Sequence, residues 1–136
     1  MWVADFIFTN CPGPCPRMSS QMHQVQTALN DSDGARLVSF TIDPGRDTPP
    51  VLAEYATHFE ARAGRWYFLT GPVARLNNLA KNGFHLGEID GKSLEHSTRL
   101  ALVDRTSEIR GFYLSSDQDA IPNLIADARR LLKETE

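Results

Sequence analysis

Cysteine is scarce: the 136 residues hold only two, Cys11 and Cys15. A single pair cannot build a disulfide framework, which excludes a small scaffold held together by staples. Charge of one sign is lacking as well. The formal net charge is -3 and the arginines are scattered, so the basic stripe of a nucleic-acid binder is missing. No apolar run exceeds the length of a strand, and none reads as a membrane-crossing helix. Met1 leads almost directly into an apolar run, so no signal peptide is expected. Repeats, linkers and low-complexity tracts are missing too. The length points to one domain, residues 1–136, large enough to bury a full core.

What is present is an alternation of strand and helix patterns. Val3 to Thr9 is rich in aromatic and β-branched residues and almost continuously apolar, as in a central strand buried on both faces. Met18, Met22, Val25 and Leu29 then fall at helical spacing, and the turn formers from Asn30 to Gly34 end that helix. Leu37 to Ile42 reads as a second strand. Leu52, Tyr55, Ala56 and Phe59 mark a second helix, opened by Asp47-Thr48-Pro49 with Asp47 as its cap.

Trp66 to Thr70 is a third strand, and Val73, Leu76, Leu79 and Ala80 a third helix. Periodicity is lost from Gly83 to Glu95, where a long loop is expected. Thr98 to Val103 and Glu108 to Tyr113 form a hairpin, and Ile121, Leu124, Ile125, Ala128 and Leu132 stripe a closing helix. The predicted order is βαβαβαββα, an α/β fold with a mixed central sheet. Its first three strands are parallel and its last two antiparallel.

The cysteines lie in Thr9-Asn10-Cys11-Pro12-Gly13-Pro14-Cys15-Pro16, between the carboxyl end of the first strand and the next helix. Open α/β sheets usually place their chemistry there, and a helix N-terminus favours thiolate over thiol at Cys11. Four-residue spacing on a helical face brings β-carbons to about 5–6 Å. That suits a disulfide after local adjustment, or two sulfur ligands on one metal ion. The pair is thus a redox couple or part of a metal site, and a third residue has to decide.

Four histidines are available. His23 and His58 sit within helices beside apolar residues and read as surface or packing groups. His85 opens the loop. His96 stands at the junction of that loop and the fourth strand. Thioredoxin-like proteins carry a cis-proline there, facing their cysteines, but this chain has no proline between Pro72 and Pro122. An imidazole with two thiolates makes a soft three-coordinate site suited to Cu(I), and able to take Cu(II) with an added ligand. Zinc tolerates the same ligands, but structural zinc sites close with four.

These residues resemble the Sco/SenC family of thioredoxin-fold copper proteins. The resemblance is carried by Asp5 to Pro12 with Cys15-Pro16, by Ser39 to Pro49 with its Asp43-Pro44-Gly45-Arg46-Asp47-Thr48-Pro49 motif, and by His96-Ser97-Thr98 with the strand to Asp104. It implies a thioredoxin-like fold and one copper ion on Cys11, Cys15 and His96. It also implies delivery of copper to the dinuclear copper site of cytochrome c oxidase, or preparation of that site's thiols. Asp43 and Asp47 match the family's acidic loop. Asp43 is a turn residue or an outer group of the site, whereas Asp47 is assigned to the helix cap.

Partners implied by the resemblance are the oxidase subunit holding that copper site, or another protein exchanging copper or thiols. The implied location is outside the cytoplasm and normally membrane-attached, or the intermembrane space of a mitochondrion. Two departures stand out: the family's usual N-terminal anchor and hairpin are not in this chain, and Gly13-Pro14 stands between the cysteines where bulkier or acidic residues are frequent. A thiol-disulfide oxidoreductase using Cys11 and Cys15 is the alternative function. In it Cys11 attacks and Cys15 resolves.

Overall fold

The computed structural model describes residues 1–7, 9, 15–29, 34–41, 43–79 and 99–134, with Cys15 and Pro16 placed by their backbone. Along them run β1 (Trp2–Ile7), α1 (Cys15–Ala28), β2 (Arg36–Thr41), α2 (Pro49–His58), β3 (Trp66–Leu69), α3 (Val73–Asn78), β4 (Arg99–Val103), β5 (Ile109–Leu114) and α4 (Ala120–Glu134). The strands form one mixed sheet in the order β3-β2-β1-β4-β5. β1, β2 and β3 are parallel and β4 and β5 antiparallel, as the alternation of patterns predicts, and β4 also runs antiparallel to β1. The loop expected from Gly83 to Glu95 lies outside the described residues.

Alternation along the strands sorts the core into two layers. Val3, Leu37, Trp66, Leu100 and Leu102 pack against Met18, Met22 and Val25 of α1 and Ile121, Leu124, Ala128 and Leu131 of α4. On the other face Ala4, Phe6, Phe40, Ala101 and Val103 meet Leu76 of α3. Each large side chain fully buried in this way stabilises the fold by about 1.5–3 kcal/mol relative to exposure. β1 is therefore the central strand, buried on both faces, and every residue from Val3 to Ile7 is inaccessible.

α2 begins at Pro49 and Pro50, whose fixed φ suits the first helical positions. It lies beside α1 over the β3 edge: the Tyr55 hydroxyl meets Ser19 Oγ at 2.8 Å, and the Tyr55 ring lies edge-on to Phe68. Buried Gln26 of α1 anchors the chain after α2, donating to the Glu60 carbonyl at 3.1 Å and accepting from the Arg62 amide at 2.8 Å. The β4–β5 turn is held by Asp104. Its Oδ1 accepts from the Thr106 amide, the Thr106 hydroxyl and the Glu108 amide, and its Oδ2 accepts from Arg110 at 3.2 Å.

Candidate metal and thiol site

Three chain segments leave or enter the sheet at one end. Ile7 pairs with Thr41, so β1 and β2 finish at the same level. β4 runs the other way, with Ala101 opposite Ala4, and so begins at Arg99 at that same end. The segment between β1 and α1 carries Cys11, the start of α1 carries Cys15, the turn after β2 carries Asp43, and His96 precedes β4 by three positions in the sequence. Cys15 is the first residue of α1, where the positive end of the helix dipole lies. Cys11, His85 and His96 lie outside the described residues, as does the Cys15 side chain.

Asp43 shapes the turn it was expected in. Its amide donates to Thr41 Oγ1 at 3.0 Å, and its carbonyl accepts from the amides of Arg46 and Asp47 at 3.1 and 2.9 Å. Its carboxylate stays at the surface, 3.8 Å from Arg46 Nε.

Asp47 departs from expectation. The cap position of α2 is taken by Thr48, and among the described residues no side chain makes a capping hydrogen bond there. The Asp47 carboxylate is buried, 1% exposed, and turned toward the strand ends. Oδ2 accepts from the Thr9 amide at 3.0 Å and the Thr41 hydroxyl at 2.7 Å, while Oδ1 accepts from the Thr9 hydroxyl at 2.5 Å. The reason is competition for the side chain. Three donors in a water-excluded corner satisfy a carboxylate better than one amide at a helix start exposed to solvent.

A second buried acid, Asp5, lies in β1. It points from the middle of β1 toward the α1 layer and is fully inaccessible. Trp66 Nε1 donates to Ser39 Oγ at 3.1 Å, and Ser39 Oγ donates to Asp5 Oδ1 at 2.5 Å. Asp5 Oδ2 has no donor among the described residues. Burial pushes the carboxyl up to about 7, against the smaller opposing effect of the Ser39 hydrogen bond. The signal was legible: a carboxylate inside a strand read as buried on both faces.

His23 and His58 both line a surface cleft of about 140 Å³, with Ser20, Phe59 and Glu60. Among the described residues no three histidine, cysteine or acidic side chains gather as metal ligands. No helix of the described residues is long and apolar enough to cross a membrane.

Residues 1–133 match the SCO1/SenC family. The chain belongs to that family. A relative, the SCO1 protein homolog of Bacillus subtilis, is 40% identical over 72 residues, which cover 52% of this chain and 37% of the relative. The chain thus spans little more than a third of that relative's length. The fold also superposes on BsSco, a Sco-family cytochrome c oxidase assembly protein with an identified disulfide switch. The TM-score is 0.82 at 28% identity, covering 97% of this chain and 80% of that one. Copper-bound yeast Sco1 shares the fold at TM-score 0.69 and 22% identity, over 94% and 77% of the two chains. In this SCO1/SenC chain the thioredoxin-like architecture read from the sequence is therefore the observed one, with a mixed sheet between helical layers.

Proposed function

We propose that this chain binds one copper ion through Cys11, Cys15 and His96 and hands it on during cytochrome c oxidase assembly, outside the cytoplasm. The observation that carries the reading is the convergence of the β1 and β2 ends with the start of β4, at one end of the sheet of a SCO1/SenC domain. Two thiolates and an imidazole form a soft donor set that fits Cu(I) and leaves positions open for transfer to a partner's ligands. Copper is the cargo. The partner is the oxidase subunit holding the dinuclear copper site, or another protein that exchanges copper or thiols, and Asp43 is an outer group of the site.

The second reading is reduction of a partner's disulfide, which the disulfide switch of BsSco supports. The Cys11 thiolate attacks one sulfur of the partner's disulfide and releases the other as a thiolate. The Cys15 thiolate then displaces the partner from the mixed disulfide. Two electrons have passed to the partner, and the pair is left as a Cys11–Cys15 disulfide.

Titration of the reduced protein with copper, followed by its thiolate-to-metal absorption, separates the two readings. The parent takes up about one copper per chain, and His96→Ala binds at least about 10-fold more weakly. Equal affinity in parent and His96→Ala refutes the copper reading. Disulfide turnover that survives His96→Ala and is lost in Cys11→Ser establishes the reductase instead.

A further inference from the structure

We propose that Asp47 is the positioning residue of the cysteine turn: its carboxylate pins Thr9, two residues ahead of Cys11, to Thr41 at the end of β2. This rests on the copper- and thiol-handling reading above and adds the residue that fixes where the turn leaves the sheet.

Four observations lead to it. The carboxylate is 1% exposed, and burial at such cost requires several donors. It has three, and two of them belong to Thr9, one from the backbone and one from the hydroxyl. Both the direction and the depth of the chain at Thr9 are thereby set. The helix that follows does not need Asp47, because Thr48 occupies the cap position and Pro49 and Pro50 supply the first turn. Finally, the clamp reaches the acidic turn. The Asp47 amide donates to the Asp43 carbonyl at 2.9 Å, and Thr41 Oγ1 accepts from the Asp43 amide while donating to Asp47. One residue therefore ties the segment leading to the cysteines to the turn that carries Asp43. Groups that orient metal ligands without touching the metal are worth about 10–100-fold in affinity.

Asparagine is the informative replacement. Its carbonyl at the Oδ2 position still accepts from the Thr9 amide and the Thr41 hydroxyl. Its amide at the Oδ1 position donates to the Thr9 hydroxyl, which rotates to accept. Asp47→Asn keeps the clamp and loses the charge, and Asp47→Ala loses both.

The test compares parent, Asp47→Asn and Asp47→Ala by two readouts on the reduced, folded chain. One is Cu(I) affinity by competition with a chromogenic chelator. The other is the equilibrium of Cys11 and Cys15 with dithiothreitol, in which the pair gives two electrons and two protons to oxidised dithiothreitol. Asp47→Ala binds Cu(I) at least about 10-fold more weakly. Its equilibrium shifts about 10-fold toward the dithiol, about 30 mV, because an unpinned Cys11 meets Cys15 less often. Asp47→Asn stays within about 3-fold of the parent in both.

Parental values for Asp47→Ala, an opposite shift, or Asp47→Asn as impaired as Asp47→Ala each overturn the proposal. The last of these assigns the effect to charge. Should Asp47→Ala fail to fold, Thr9→Val removes one of the three bonds without changing the side-chain shape. It must then show a smaller loss of the same sign, and parental behaviour overturns the proposal. A parent that takes up no Cu(I) defeats the copper reading, while the dithiol equilibrium still tests the clamp.

Discussion

Replacing Asp5 by asparagine tests the least comfortable feature of the core. In the folded chain the Asp5 carboxyl ionises at about 7, whereas its ordinary value is 3.8. Between those values the unfolded chain gives up its proton and the folded chain keeps it. The folded state therefore loses ground as pH rises through this window, by about 1.4 kcal/mol per pH unit, and the loss levels off above pH 7. Across the whole interval the ceiling is about 4 kcal/mol. Water reaching the ionised group relaxes part of that, so Asp5→Asn is expected to be about 2–3 kcal/mol more stable than the parent at pH 8.5.

Near pH 4 the two proteins should differ little. A protonated acid and an amide both offer Ser39 an acceptor, and both leave one polar group unpartnered. Urea denaturation at pH 4 and pH 8.5 gives the measurement. With a slope of about 2 kcal/mol per molar urea, the midpoint of Asp5→Asn should exceed that of the parent by about 1–1.5 M at the higher pH. All other titrating groups are shared, so the change in this difference with pH reports Asp5 alone. A midpoint difference that stays the same from pH 4 to pH 8.5 refutes the reasoning.

The hairpin acid has the opposite sign. Hydrogen bonds from Thr106, then from the Glu108 amide and Arg110, hold the Asp104 carboxyl down at about 2. Its contribution is present above pH 3.8 and is lost as pH falls through about 2. Acid titration by circular dichroism should show Asp104→Asn less sensitive to pH below 4 than the parent, and identical acid profiles would contradict this. Leu124 is fully buried between α4 and the sheet, so Leu124→Ala should cost about 2–5 kcal/mol in urea unfolding. A loss below about 1 kcal/mol would mean the layer collapses around the cavity.

Periodicity alone determined most of the architecture. Val3, Leu37, Trp66 and Leu100 fall in strand patterns, and Met18, Met22, Val25 and Leu124 in helical ones, because each element must turn an apolar face to one core. Parallel pairing followed from the crossover rule and the hairpin from its short turn. The motifs around Cys11, Cys15, Asp43 and His96 are legible as candidate ligands and an outer group, since residue type and spacing are written in the chain itself.

The fates of the buried acids were decided by tertiary structure alone. Asp47 precedes Thr48-Pro49 and has every local mark of a cap, but the partners that claim it are Thr9, 38 positions away, and Thr41. Asp5 meets Ser39 across 34 positions, and through it Trp66. A carboxylate's partners are set by whichever donors the sheet brings into its corner, and its ionisation by the water that the layers above exclude. Neither is a local property, so the sequence names these acids while only the fold shows which groups they meet.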